Sequence, residues 1–306
     1  MIEVTSLESQ PHIRVGTVTP GMRTKWFPFW LLLPSIVVLL ALQVGPTLYS
    51  FYLSTTRMRQ GVVTDVGLEN YGRILNMPSF REALRLTLIY AGSYVILTVL
   101  LGLLIALLLN RRFKFTGIYL VLIFFPWVIS DVVAGTMWRW LWQPTYGLIQ
   151  NWVTANLPAF GEHIYTTAGG AMFIVVMAAV WRGLAFTTLV CLGALQTVPI
   201  ETLESAALDG AGRFRRFFRV ILPQIRPTLM VMVLLASIQA INSVGLIFSI
   251  TNGGPGGATK TAAFFLLETG WRNGDFGRGA AASVILFFIN LALTLVYLRL
   301  MGRERK

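Results

Sequence analysis

The residues able to do chemistry in this chain are few, and most lie where water is scarce. Asp131 and Arg182 each sit within a long apolar run, and Gln239, Asn242 and Ser243 fall in Pro227–Thr259, which holds no Asp, Glu, Lys or Arg. A charge in hydrocarbon is costly, so an ionisable residue there marks a pathway or a partner by default. Planar amides and hydroxyls supply the directional hydrogen bonds that grip a polyhydroxyl solute. The chemistry on offer is recognition rather than bond breaking. A single Cys191 and two histidines, His12 and His163, exclude a disulfide framework and argue against a Cys/His metal site. No set of His, Cys or carboxylate side chains clusters at a membrane face, which leaves a membrane enzyme without a centre.

The elements that must position these groups are apolar spans. Of 306 residues, 55% are hydrophobic and 12% charged, against about 25% charged in an ordinary soluble domain. Trp26–Thr56, Leu86–Asn110, Pro227–Thr259 and Gly279–Leu298 carry no charge at all, and roughly 20 apolar residues suffice to cross a bilayer. The first run, Phe27–Leu53, is too long for the roughly 7–15-residue core of a signal peptide. Residues 1–26 therefore read as a cytoplasmic tail, and 27–306 as one transmembrane domain. The pattern predicts an all-α, polytopic membrane protein with six helices at 27–53, 86–109, 117–138, 170–195, 228–250 and 279–299.

An even number of spans puts both termini on one side. With the termini cytoplasmic, inside segments hold fifteen of the 25 basic residues, including Arg14, Arg23, Lys25, Arg111, Arg112, Lys114, Arg305 and Lys306, and outside loops hold eight. That asymmetry orients the chain. It also accounts for the net charge of +12 through membrane lipid rather than nucleic acid. Trp138, Trp140 and Trp142 are expected in an aromatic belt at the outer interface. The glycine-rich stretch 251–279 is expected to be irregular and outside the hydrocarbon. At ~1.5 Å per residue, Asp131 stands about 21 Å above Gly117, Arg182 about as far above Gln196, and Asn242 about 22 Å above Pro227. Three polar groups on three helices thus share one level.

The longest inside loop, 196–227, reads QTVPIETLESAALDGAGRFRRFFRVILPQIRP. Pro199 suits a helix start, and Glu201 and Glu204 suit its first turn. Ile200, Leu203, Ala207 and Leu208 recur at helical spacing and form an apolar face, while Ala206 and Ala207 keep the surface small. Gly210 fits the left-handed end of that helix. A second helical run, Arg213–Ile221, is expected to stop at Pro223. On chemistry alone the loop also fits an amphipathic segment lying on lipid headgroups.

The run Glu204-Ser205-Ala206-Ala207-Leu208-Asp209-Gly210-Ala211, followed by Phe217, Ile221, Leu222-Pro223 and Pro227, resembles the EAA loop of binding-protein-dependent ABC import permeases. Ser205 departs from the more common alanine there. Gly193–Pro199, Trp181 with Gly183, the Trp138–Trp142 region and Thr251-Asn252-Gly253-Gly254-Pro255 look like the carbohydrate importers of the maltose and glycerol-phosphate type. The resemblance implies a type I importer permease fold and uptake of a sugar by alternating access. It implies a second homologous permease subunit, a cytoplasmic ATPase dimer and an extracytoplasmic solute-binding protein as partners. It implies coupling to the ATPase through Glu204, Ala206, Ala207, Asp209, Gly210 and Pro223. It also implies that the helix before Thr251–Pro255, with Gln239, Asn242 and Ser243, lines the sugar site.

ATP and Mg2+ then belong to the partner ATPase, and no cofactor is expected here. Gly254–Thr261 (GPGGATKT) is no phosphate loop, because Thr259 precedes Lys260 where that motif needs glycine. Asp131 and Arg182 carry two readings, a solute contact or a buried ion pair holding two helices. Gln239 and Asn242 equally suit interhelical hydrogen bonds. A glycerol-3-phosphate cargo stays open, and so does an ion-coupled secondary transporter, although the latter leaves Glu204–Ala211 unexplained. The expected location is the cell membrane.

Overall fold

The structure is a computed structural model, and it describes residues 27–59, 62–110, 116–158 and 164–303. The tail 1–26 lies outside the described residues, as do His163, the loop carrying Arg111, Arg112 and Lys114, and the terminal Arg305 and Lys306. The chain divides into two units, Met1–Tyr49 and Ser50–Lys306. In the first, α1 (Phe27–Leu39) passes through a π turn, Leu40–Val44, into α2 (Gly45–Ser54), which runs across the boundary. The Gly45 N–H reaches back to the Leu40 carbonyl, the five-residue step of a π turn.

The second unit opens with a small departure from the all-α expectation. Strands β1 (Thr56–Arg59) and β2 (Val62–Asp65) pair antiparallel with Thr56 opposite Asp65. A short helix, α3 (Glu69–Asn76), follows. Its buried Asn70 donates Nδ2 to the carbonyls of Ser54 (2.9 Å) and Thr56 (2.8 Å), which ties the hairpin down. Helix α4 (Pro78–Leu109) starts eight residues before the charge-free run, with proline in its first turn, where no N–H is needed.

The third span differs from the expected straight helix over 117–138. It is two helices, α5 (Thr116–Val128) and α6 (Asp131–Leu141), bent by 98° at Ile129–Ser130. Pro126 removes a backbone donor in the last turn of α5 and weakens the ladder there. Ser130 is extended, and its Oγ accepts from the Val133 N–H at 3.3 Å, so α6 begins anew with its own cap. Straight-helix height arithmetic therefore fails for Asp131, which heads α6.

Beyond α7 (Leu148–Asn156), α8 (Ala168–Gln196) is the most buried span, capped by Thr167, whose Oγ1 accepts from the Gly170 N–H at 3.1 Å. Next come α9 (Ile200–Leu208), α10 (Arg213–Arg216) and α11 (Leu222–Ile241). Pro223 does not stop the second run of the loop. Helix α10, a π turn at Phe217–Ile221 and α11 form one helix, Arg213–Ile241. The Leu222 N–H bonds the Phe217 carbonyl, so the proline enters a turn already widened and fits the start of α11.

The fifth span is also interrupted. After α11 the chain leaves the helix at Asn242–Val244 and resumes as α12 (Gly245–Ile250). The stretch 251–279 is irregular as far as Thr261 and again at Asn273–Asp275. Thr261 caps α13 (Ala262–Leu267), which continues as a π turn, Glu268–Arg272, before α14 (Phe276–Arg303). Lys260 pairs with Glu268 at 2.7 Å, and the element before its loop is α12 rather than a strand. Counting the bent pair as one, six spans among the described residues are long and apolar enough to cross a membrane.

Packing explains two further differences. Trp138 and Trp142, four residues apart, turn inward: Trp138 meets Trp181 at 6.1 Å between ring centroids and Trp142 meets Phe173 at 6.4 Å. Only Trp140, on the opposite side of α6, is exposed as a belt residue would be. Helix α12 lies so close to α6 that a Cβ on Gly135 would sit 2.5 Å from the Ser249 Cβ. Small residues permit such approach between apolar helices, where dispersion and hydrogen bonds replace the hydrophobic effect.

Gly135→Val should therefore cost about 1–3 kcal/mol, the usual range for overpacking. Gly193→Val, where a Cβ meets nothing within 4 Å, should leave thermal unfolding in detergent near that of the parent. Equal unfolding temperatures for the two variants would refute the close approach of α6 and α12.

Candidate functional site

The two interrupted spans meet at one cavity of about 420 Å³. Helix α11 and the break after it contribute Gln239, Asn242 and Ser243; α6 contributes Asp131 and α8 contributes Arg182. All five residues picked out as pathway candidates thus line one space. Their convergence does not come from equal heights on straight helices. It comes from the bend that carries Asp131 inward and the break that exposes Asn242.

Asp131 and Arg182 form an ion pair. Asp131 lies in the first turn of α6, where the helix dipole favours a carboxylate. The other arm of the guanidinium donates to the Ile129 carbonyl at 2.9 Å. Gly245 backs the carboxylate, and a Cβ there would lie 2.7 Å from the Asp131 Cβ. Arg182 is thus committed to two partners and is not a free cation facing the cavity.

At the other break, Asn242 caps α11. Its Nδ2 donates to the Ile238 carbonyl at 2.7 Å, and its amide exchanges long 3.4 Å contacts with Asn290 of α14. Asn242 thus both reaches toward a neighbouring helix and lines the cavity. The Ser243 hydroxyl accepts from the Tyr90 hydroxyl at 3.4 Å. Gln239 is exposed, and its amide meets no protein partner among the described residues.

The remaining walls are residues that sequence reasoning passed over: Tyr90, Tyr94, Trp127 and Phe186. Tyr90 and Tyr94 stack with ring centroids 6.4 Å apart, and a Cβ on Gly183 would strike the Tyr94 hydroxyl at 2.5 Å. Their spacing on α4 was a legible signal, because positions four apart share a helix face. Nothing in the sequence says which space that face lines. Aromatic faces beside amides and hydroxyls can stack on a sugar ring while bonding its hydroxyls. Among the described residues no group of His, Cys, Asp and Glu side chains is placed to hold a metal ion.

The 196–227 loop is a second, separate candidate. Pro199 precedes α9 in extended conformation, and Gly210 ends it at φ +74°. The Gly210 N–H bonds the Ala207 carbonyl (3.1 Å) and the Ala211 N–H bonds the Ala206 carbonyl (3.0 Å), the paired closure of a Schellman end. The expected apolar face is divided. Leu203 packs on the cluster that includes Ala106, Leu195 and Ile225, and Ala206 is half-buried. Glu204, Ala207, Leu208, Asp209 and Gly210 are exposed, Leu208 at 90%. Helix α9 is therefore anchored on one side and presents acidic, small and apolar groups on the other. Pro223 lies outside this helix, exposed at the start of α11.

The Thr251–Thr261 loop is ordered. Its Thr251 and Thr259 hydroxyls bond at 2.7 Å, and Asn252 accepts from Arg272 at 2.6 Å. Tyr165 donates its hydroxyl to the Ile250 carbonyl at 2.5 Å, and burial raises its phenol above the ordinary value.

Residues 98–306 match the family described as the binding-protein-dependent transport system inner membrane component. The trehalose/maltose transport system permease protein MalF of Thermococcus litoralis is 34% identical over 281 residues, covering 91% of this chain and 94% of that protein. The sn-glycerol-3-phosphate transport system permease protein UgpA of Pectobacterium atrosepticum is 30% identical over 288 residues, covering 93% and 97%. In fold, the chain is similar to one in the crystal structure of a bacterial alginate ABC transporter in complex with an alginate pentasaccharide-bound periplasmic protein, with a TM-score of 0.78 at 20% identity over 93% of this chain and 96% of that one. Membership makes this a multi-pass membrane transport subunit rather than an enzyme, working with an ATPase and a solute-binding protein. The apolar spans, the Glu204–Ala211 loop and the matched residues together place the chain in the binding-protein-dependent transport system inner membrane component family, the permeases of ABC importers.

Proposed function

We propose that the chain carries a neutral di- or oligosaccharide, which passes the cavity between the α5–α6 bend and the α11–α12 break. The observation that carries this reading is the lining: aromatic faces from Tyr90, Tyr94, Trp127 and Phe186 beside the amides of Gln239 and Asn242 and the hydroxyl of Ser243. The relative from T. litoralis, a trehalose/maltose permease by name, agrees with it. A glycerol-phosphate cargo, suggested by the second relative, needs a cation free to meet phosphate. Arg182 is the cation among the cavity's described lining residues, and Asp131 and the Ile129 carbonyl already hold it. The neutral cargo is favoured for that reason.

In the same reading, 27–306 is one permease domain in the cell's inner membrane with both termini cytoplasmic. A second, homologous permease subunit completes the cavity, and ATP and Mg2+ sit on the cytoplasmic ATPase dimer. Helix α9 docks there through Glu204, Ala207, Asp209 and Gly210, with Ala206 keeping the contact shallow and Pro223 setting where the following helix starts. Closure of the ATPase moves α9 and turns the cavity outward, and hydrolysis resets it.

The cargo is tested by purifying the chain with its native partners in lipid and measuring ATPase stimulation by trehalose, maltose, longer maltodextrins and glycerol-3-phosphate. Stimulation by a neutral sugar is expected; stimulation by glycerol-3-phosphate alone would overturn the assignment. Asn242→Leu should cut sugar uptake about tenfold or more while the ATPase still co-purifies. Unchanged uptake removes Asn242 from the pathway. Gly210→Val forces a branched side chain into left-handed backbone at a cost of about 1–2 kcal/mol. It should uncouple ATP hydrolysis from uptake or release the ATPase, and so should Glu204→Lys. If binding and coupled turnover survive both changes, α9 is not the coupling element.

A further inference from the structure

We infer that Arg182 is a positioning residue for transport: it is a two-armed clip that sets the α5–α6 bend, and it acts through Ile129 and Asp131 rather than by meeting the cargo. This rests on the proposed transport reading only for its effect on uptake. The geometry of the clip is independent of the cargo.

The bend occupies Ile129 and Ser130. In an unbroken helix the Ile129 carbonyl would accept from the Val133 N–H. Here that N–H goes to the Ser130 side chain, and the carbonyl accepts instead from Arg182 at 2.9 Å. The same guanidinium pairs with Asp131. One arm therefore holds the first residue of the break, Ile129, and the other holds the first residue after it, Asp131. Both come from α8, the span with the largest buried share. The planar fork of arginine suits this arrangement, because its donors leave one rigid group in different directions. In apolar surroundings a carbonyl freed by a break is costly to leave without a partner.

What the clip holds is the wall of the cavity. Trp127 stands two residues before the contacted carbonyl, and Asp131 begins α6. Helix α6 is in turn locked to α12 by the close approaches at Gly135–Ser249 and Gly245–Asp131. Helices α6 and α12 thus move as one body hinged at Ile129–Ser130 on one side and at Asn242–Val244 on the other. Arg182 ties that body to α8. A simple ion pair would neutralise two charges; this one also fixes an angle in the backbone.

The clip and the ion pair are separable. Asp131→Asn removes the charge but keeps an oxygen to accept from the guanidinium, and it leaves the Ile129 contact intact. Arg182→Gln removes both arms. Spin labels at Leu122→Cys and Val132→Cys, both exposed and on opposite sides of the bend, report its angle once the buried Cys191 is replaced by alanine. The measurement is made on the assembled transporter in lipid. A narrow distance distribution is expected for the parent and for Asp131→Asn, and a broad or shifted one for Arg182→Gln. The clip is overturned if Arg182→Gln is as narrow as the parent, or if Asp131→Asn is as broad as Arg182→Gln. Uptake of radiolabelled trehalose should fall about tenfold with Arg182→Gln. If the parent itself carries no trehalose, the cargo reading fails while the distance measurement still decides the clip.

Discussion

A backbone that leaves the helix inside hydrocarbon frees carbonyls and N–H groups that water cannot reach, and the rest of this structure follows from how those groups are satisfied. At Ile129–Ser130 the solution is a serine cap on one side and an arginine from a neighbouring helix on the other. At Asn242–Val244 it is a side-chain amide that bonds its own helix and reaches toward Asn290. Irregular backbone at membrane depth is tolerated where it is buried in protein or lines a cavity. Here the second condition holds, because the two breaks border the same space. The cavity is polar because the chain is broken there.

The breaks are usable only because the helices carrying them are held close. Gly135 against Ser249 and Gly245 against Asp131 leave no room for a Cβ, so α6 and α12 share one position. The stacked Tyr90 and Tyr94 of α4 close the far wall, with Gly183 leaving room for the Tyr94 ring. Bulk on one helix is matched by its absence on the next. The 196–227 loop obeys a different constraint. Helix α9 keeps Leu203 on the protein and turns Leu208 to solvent, so one of its faces is left uncovered by the described residues of this chain.

Much of this was legible in advance. Charge-free runs mark where helices cross, since a bilayer core has a fixed thickness and tolerates few ions. Pro199, the acidic first turn and Gly210 bracket α9 because each answers a local backbone requirement. Asp131, Arg182, Gln239, Asn242 and Ser243 stood out by polarity alone. Local signals misled where a neighbour decides. Pro223 looks like a stop, yet a π turn absorbs it. Trp138 and Trp142 look like belt residues, yet Trp181 and Phe173 draw them inward.

The sequence by itself therefore determined that this is a polytopic membrane chain with a short helix bracketed by Pro199 and Gly210 in its 196–227 loop, and which polar residues fall within apolar runs. Those properties depend on composition, period and local backbone chemistry, all of which are read along the chain. Only the tertiary structure decided that the third span bends by 98°, that Arg182 holds both the bend at Ile129 and the start of α6 at Asp131, and that Tyr90, Tyr94, Trp127 and Phe186 add aromatic faces to the wall. Each of those depends on what a helix distant in sequence offers a freed carbonyl or an aromatic face, and a one-dimensional pattern carries no record of that neighbour.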